Sequence, residues 1–274
     1  MHPSLREPLE LYRTAALEIA EQAGQLLLQQ MNHVEVRFKG PKDLVTAADE
    51  ASQQLIQQEL GDRFPQHWVV GEEHADASER IAQLRGDDGW APPVWVVDPL
   101  DGTVNFAHGL SGFAVSIALV WRGRVQVGVV YDPISRERFW AELGGGAWLD
   151  DQRLSVSNCQ ELSEALVAAS FPAGLQAGDA AIAQFTEVLL RAQSLRRLGS
   201  AALNLCYLAG GRLDGYWASS VKSWDVAAGG LIAAEAGAEL SDMRKLPYDV
   251  WTAQLIAASS PQLHQQLAEL VRLP

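Results

Sequence analysis

Three times in this chain a buried-type apolar segment ends or begins in carboxylates. Trp68-Val69-Val70 runs into Gly71-Glu72-Glu73, and Val94-Trp95-Val96-Val97 runs into Asp98-Pro99-Leu100-Asp101-Gly102-Thr103. Trp224-Asp225 opens an Ala/Gly-rich stretch. Short apolar runs bounded by turn residues read as buried strands, and the Ala-rich stretch as a buried helix. Acids set where buried elements emerge are acids that a rigid scaffold presents. A fold that brings these three ends together holds several like charges in one place, and such a cluster calls for a cation to neutralise it.

The rest of the pattern supplies the scaffold. Residues 8–30 carry Leu9, Leu11, Ala16, Ile19, Ala20, Ala23, Leu26 and Leu27 at helical spacing. Lys39-Gly40-Pro41-Lys42 breaks that pattern. A second helix is expected from after Thr46 to residue 60, with Leu55, Ile56 and Leu60 facing inward. Thr46-Ala47-Ala48-Asp49 reads as a capping box with Asp in the usual place of Glu. Between 113 and 156, turn signals at 122–124, 132–135, 144–146 and 149–152 cut the sequence into an antiparallel meander. After residue 158, strands at 166–169, 195–198, 213–217 and 255–258 alternate with helices at 179–192, 200–209, 224–236 and from 261. An α+β part, 1–160, carrying most of the acids is thus followed by an α/β part, 161–274, supplying Asp225. No internal repeat and no Pro/Ser-rich linker interrupts them, so the halves are expected to pack closely.

Composition narrows the partners. With 274 residues, 48% hydrophobic and 20% charged, the chain can bury a large core. Its 21 Lys+Arg against 34 Asp+Glu give a net charge of −13. That field disfavours a nucleic-acid backbone and an anionic membrane, and repels an anionic substrate unless bound cations reverse the local sign. The longest nearly apolar stretch, 113–121, is too short to span a bilayer. Cys159 and Cys206 lie far apart, outside any C-x-x-C pair, so neither a disulfide framework nor a zinc site is expected. Without a signal-peptide pattern at the start, a cytoplasmic setting fits. The six histidines show no ligand spacing; His74 and His108, near the motifs, read as surface groups. Of the nine tryptophans, Trp68, Trp95 and Trp224 flank the acidic motifs and read as supporting walls.

The residue types suit one kind of chemistry. Mg²⁺ takes oxygen ligands in octahedral geometry. Asp98 and Asp101, three apart across a bend forced by Pro99, can point at one locus with the Leu100 carbonyl between them. Gly102 allows close backbone approach and Thr103 adds a hydroxyl. A helix starting here would offer free N–H groups to a phosphate. Taken singly, each piece has a plainer reading. Asp-Pro and Asp-Gly are turn dipeptides, Glu72 and Glu73 are solvated charges, and Asp49 and Asp225 are helix N-terminal acids.

Together, Asp43-Leu44-Val45-Thr46-Ala47-Ala48-Asp49 and the stretches 68–73, 95–106 and 224–229 resemble the inositol monophosphatase family in order and spacing, over nearly the whole chain. The resemblance implies a layered α+β / α/β sandwich of alternating helices and sheets. It implies a lithium-sensitive phosphatase using Mg²⁺, two or three ions per site. Glu72, Asp98, Asp101, Asp225 and the Leu100 carbonyl would hold the metals, with Asp98 bridging two. Glu72 would also hold the nucleophilic water, Thr103 would help activate that water, and Asp49 would be the hydrogen-bond partner of Thr103. Glu73 matches a residue near a weaker metal site. Gly102 and Thr103 would meet the phosphate through backbone N–H groups, with Asp101 and Asp225 also on the substrate side. Gly199-Ser200-Ala201 would line the organic part, although read alone it is a strand-to-helix turn. Lys39 matches a lysine near the loop over the site; read alone it is a solvated loop lysine. The implied partner is a small phosphorylated metabolite, and the implied assembly a homodimer.

One position departs from the pattern. Inositol-preferring members carry a Glu seven residues before the Asp matching Asp225, and here that residue is Ala218, near Ser219, Ser220 and Lys222. Losing an acceptor weakens specificity for a substrate hydroxyl. An inositol-1-phosphate-type substrate is the first expectation. Fructose 1,6-bisphosphate, histidinol phosphate and 3′-phosphoadenosine 5′-phosphate are alternatives with the same chemistry. Two other classes compete: a haloacid-dehalogenase-type phosphatase, which needs its second Asp two residues after the first rather than three, and a non-catalytic metal-binding or regulatory protein on the same fold.

Overall fold

The computed structural model of the chain describes residues 5, 7–31, 36–40, 43–74, 81, 92–172, 174–252 and 254–272. Helix α1 (Leu9–Gln30) precedes a hairpin of β1 (Val36–Gly40) and β2 (Asp43–Thr46), which leads into α2 (Ala47–Arg63). Then come β3 (Trp68–Gly71), β4 (Val94–Asp101), the short α3 (Thr103–Ala107), β5 (Ala114–Trp121), β6 (Arg124–Asp132), β7 (Glu137–Glu142), β8 (Gly146–Leu149) and β9 (Gln152–Arg153). The second half holds β10 (Leu166–Ser170), α4 (Ala180–Leu189), β11 (Ser194–Arg196), α5 (Ala201–Ala209), β12 (Gly215–Ala218), α6 (Ser223–Glu235), β13 (Glu239–Ser241), β14 (Leu255–Ala258) and α7 (Pro261–Val271).

Strands β3 to β9 form a 7-stranded sheet in sequence order. Its β3–β4 pair is parallel and the remaining pairs are antiparallel, so the expected meander is present from β5 onward. A 5-stranded sheet has the order β11-β10-β12-β14-β13. The β1–β2 hairpin and β13 are elements that the sequence pattern did not single out; both are short and depend on their pairing partners.

Period-two alternation in the strands explains the layering. In β5, Val115, Ile117 and Leu119 pack with Tyr12, Ile19, Leu27 and Ile56 of α1 and α2. The alternate residues Ala114 and Ala118 pack with Ala202, Leu203, Ala227 and Ala228 of α5 and α6. The same two helices present Ala201, Leu205 and Val226 to Tyr216, Ala218 and Leu255 of the second sheet. The outer face of that sheet, with Val167, Trp217 and Ile256, is covered by Val188, Leu263 and Leu267 of α4 and α7. The result is a five-layer αβαβα sandwich. Helices α5 and α6 are apolar all round because they are buried on both sides. Small residues let this central layer sit close. A Cβ on Gly128 of β6 would come 2.7 Å from the Ala228 carbonyl oxygen of α6.

Candidate functional site

The acidic residues meet where β3, β4 and α6 end or begin at the central layer. In a regular strand, residues three apart face opposite ways. In β4, however, Asp98 pairs with Ser116 and Asp101 with Ala114. Pro99 and Leu100 therefore stand against Val115 alone. This bulge returns Asp101 to the face of Asp98 and turns Leu100 into the core below α1 and α2. Both aspartates are buried, at 1% and 8% exposure. Glu72 follows β3 two positions after the inward-facing Val70, and its N–H donates to the Val97 carbonyl at 3.2 Å, alongside Asp98.

Asp225 arrives from the other direction, in the first turn of α6. Ser116 Oγ on β5 donates to the Trp224 carbonyl at 3.2 Å and ties that helix start to the sheet. The electrostatic consequence is strong. Burial, then the charges of Glu72, Asp101 and Asp225, push the Asp98 carboxyl well above the usual carboxylate range. Burial, then Asp101 and Glu72, do the same for Asp225. Burial raises Asp101 to about 6, against the pull of hydrogen bonds from Ser200 and Ala202.

Each of these three aspartates has one oxygen tied to a donor, local for Asp98 and Asp225 and distant in sequence for Asp101. Asp98 Oδ1 accepts from Leu100 N at 3.0 Å, and Asp225 Oδ2 from Lys222 N at 2.8 Å. Asp101 Oδ2 accepts from Ser200 Oγ at 2.5 Å and Ala202 N at 2.7 Å. Among the described residues, no three His, Cys, Asp or Glu side chains already stand as a ready coordination group. The carboxylates are neighbours in one electric field rather than a finished cage. Their chemistry, all hard oxygen donors gathered in one place, fits a divalent cation such as Mg²⁺.

Beside them lies a hydroxyl. Thr103 Oγ1 is 3.1 Å from Asp49 Oδ1 and 3.1 Å from the Leu100 carbonyl oxygen, in donating geometry to either. Asp49 also closes the expected capping box: its Oδ2 accepts from Thr46 N at 2.8 Å and Thr46 Oγ1 at 2.5 Å. Gly102, at φ +100°, precedes Thr103 in the left-handed region that favours glycine. Any Cβ there would stand 2.8 Å from the Gly112 carbonyl oxygen. Ser52 of α2, which the sequence did not flag, donates to the Pro99 carbonyl at 2.9 Å and braces the bulge.

On the second-sheet side, Ser200 is the N-cap of α5 and is fully buried against Asp101. Gly199 is exposed, and Ala201 is buried against the second sheet. Ala218 is buried at the end of β12, and the adjacent Ser219 Oγ is a buried hydroxyl without a partner among the described residues. Lys39 lies on β1, and its side chain falls outside the described residues. His74, expected at the surface, and Trp68, expected as a supporting wall, are placed otherwise. His74 is half-buried, with Nδ1 2.9 Å from the Gly71 N–H and Nε2 near Gln57, so it braces the turn that carries Glu72. Trp68 is 46% exposed, because it opens β3 rather than walling the acids, whereas Trp95 and Trp224 are buried. His108 is exposed as expected. The Glu73 backbone N–H donates to Gln53 Oε1 at 3.0 Å.

Known proteins share this sequence pattern and this fold. Residues 9–273 match the sequence model of the inositol monophosphatase family. The protein named Nus factor SuhB of Vibrio cholerae is 35% identical over 99% of this chain and 97% of its own. The inositol-1-monophosphatase of Mesorhizobium japonicum is 37% identical over 83% of this chain and 84% of its own. The solved extragenic suppressor protein suhB of Bartonella henselae superposes with a TM-score of 0.84 at 32% identity, covering 94% of this chain and 97% of that one. Among the described residues no helix is long and apolar enough to cross a membrane.

Proposed function

The chain belongs to the inositol monophosphatase family, a family of phosphatases, and from that premise we propose that it hydrolyses a small phosphate monoester of the inositol-1-phosphate type with the help of Mg²⁺. The observation that carries this reading is the gathering of Glu72 and Asp225 beside Asp98 and Asp101, which the β4 bulge puts on one face at 1% and 8% exposure. Such a cluster is costly as four naked charges and well suited to a dication.

In this reading Glu72, Asp98, Asp101, Asp225 and the Leu100 carbonyl hold the metal, with 1–160 supplying all but Asp225. When bound, Mg²⁺ supplies positive charge against the phosphate and lowers the pKa of water. The chain does the rest. A threonine hydroxyl has one proton, and the stronger acceptor for it is the Asp49 carboxylate rather than a neutral carbonyl. With that proton directed at Asp49 Oδ1, the lone pairs of Thr103 Oγ1 are left to accept a hydrogen bond from water and aim it. The N–H groups of Gly102 and Thr103 hold phosphate oxygens. Gly199, Ser200 and Ala201 bear on the organic part, and Ser200 fixes Asp101.

Ala218 argues that recognition of the organic part is less tied to one hydroxyl than a carboxylate there would make it. Fructose 1,6-bisphosphate, histidinol phosphate and 3′-phosphoadenosine 5′-phosphate belong in the same test. Relatives at similar identity are named both as a phosphatase and as a Nus factor, and it is the acids of this chain that favour hydrolysis. Phosphate release from these four compounds, with and without Mg²⁺, decides the matter. Release from none of them by folded protein would leave a non-catalytic role on the same fold.

A further inference from the structure

Asn105 has no acid–base chemistry, yet its carboxamide sits at a junction. Nδ2 donates to the Gly112 carbonyl at 2.7 Å and to the Leu198 carbonyl at 2.8 Å. An amide nitrogen carries two hydrogens, so both are used. The first bond closes the loop after α3. The second reaches 93 positions along the chain to the segment that leads into α5.

Both receiving segments are shaped around this side chain. Gly112 and Gly199 have φ of +89° and +96°. A Cβ at Gly199 would stand 2.7 Å from Asn105 Nδ2 and 2.9 Å from Oδ1, so the amide occupies the space that any other residue would need. Immediately beyond Leu198 and Gly199, Ser200 Oγ and Ala202 N both donate to Asp101 Oδ2. Two residues before Asn105 stands Thr103, bonded towards Asp49. One carboxamide thus joins the element bearing Thr103 to the segment that holds Asp101 and lines the organic side of the site.

We propose that Asn105 is a positioning residue that sets the gap between Thr103 and the segment 199–201, and so registers the organic part of a monoester against its phosphate. The catalytic consequence rests on the phosphatase reading; the tether itself does not. The test uses Asn105→Ala in the full chain with two readouts. For inositol 1-phosphate with Mg²⁺, kcat/KM is expected to fall about tenfold, mostly through KM, a difference of about 1.4 kcal/mol. For methyl phosphate, which has no organic body to reach 199–201, the fall is expected to be no more than about threefold, the part that reaches Asp101 through Ser200 and Ala202. Amide hydrogen exchange over 198–205 is expected to quicken at least about fivefold while that of 226–235 is unchanged, as for a local opening. Equal loss on both substrates, no loss on either, or unchanged exchange would overturn the proposal. If the unaltered protein releases no phosphate from either compound, the phosphatase reading falls and exchange alone decides: faster exchange keeps the tether, unchanged exchange removes it. Asn105→Ser, which retains one hydroxyl donor, repeats both readouts should the Ala variant not fold, with smaller changes expected in the same directions.

Discussion

Asp49 serves two elements at once: one carboxylate oxygen closes the N-terminal cap of α2 through Thr46, and the other stands 3.1 Å from the Thr103 hydroxyl, 54 positions further along. The cap holds Asp49 still, and Asp49 in turn orients Thr103.

Thr103→Ala is therefore expected to lower kcat by about a hundredfold, the lower range for losing one proton-handling group. Its melting temperature should stay within about 2 °C, since the residue starts a five-residue helix and fills no core. Thr103→Ser, keeping the hydroxyl, should retain most activity. Asp49→Ala should lose activity and also about 1 kcal/mol of stability with the cap. Turnover and thermal melts of the three variants check this. Full activity in Thr103→Ala would remove the proposed role.

The site also sets a pH dependence of stability. Asp101 is raised to about 6 in the fold from an unfolded value of 3.8. A carboxyl shifted upward stabilises the fold fully below the unfolded value, and this contribution is lost as pH rises through about 6. His67, lowered by burial to about 4, works the other way, losing its contribution as pH falls from 6.5. The informative comparison is therefore Asp101→Asn against the unaltered protein, both metal-free. The melting-temperature difference should shift in favour of Asp101→Asn by roughly 5 °C between pH 4.5 and pH 8, and added Mg²⁺ should largely cancel the shift. A difference independent of pH would contradict the charge account.

Gly128 tests how the central layer carries Asp225. A methyl group there would meet the backbone of Ala228, an obstacle that cannot rotate away. Gly128→Ala is expected to cost about 1–3 kcal/mol by overpacking. It should also weaken Mg²⁺ binding, because α6 must shift to make room. Thermal melts and a magnesium titration by calorimetry measure the two effects. A stable variant with unchanged magnesium affinity would show that α6 does not need this approach.

Much of this site was legible in the sequence because its signals are local. Apolar runs ending in acids at Glu72 and Asp98, and the box at Thr46 and Asp49, each lie within a few residues of one another. The bulge was not legible. Whether Asp98 and Asp101 share a face depends on Val115 standing alone across from Pro99 and Leu100, which is a property of the partner strand. The partners of Asp101, at Ser200 and Ala202, lie about a hundred positions away and follow from the packing of α5. The role of His74 as a brace likewise depends on Gln57 of α2 passing above it. The expected strands at 195–198 and 213–217 fell at Ser194–Arg196 and Gly215–Ala218, shifted because pairing with β10, not local pattern, sets their ends.

Asp98, buried beside Glu72, Asp101 and Asp225, is proposed to share a metal charge in phosphate hydrolysis. The most direct test is phosphate release from inositol 1-phosphate by the unaltered chain and by Asp98→Asn, each over a range of Mg²⁺. Release is expected to require Mg²⁺ in the unaltered chain and to fall at least about a thousandfold in Asp98→Asn with the fold intact, since the substitution removes a metal charge and not core packing. Equal Mg²⁺-dependent release by both proteins would contradict it.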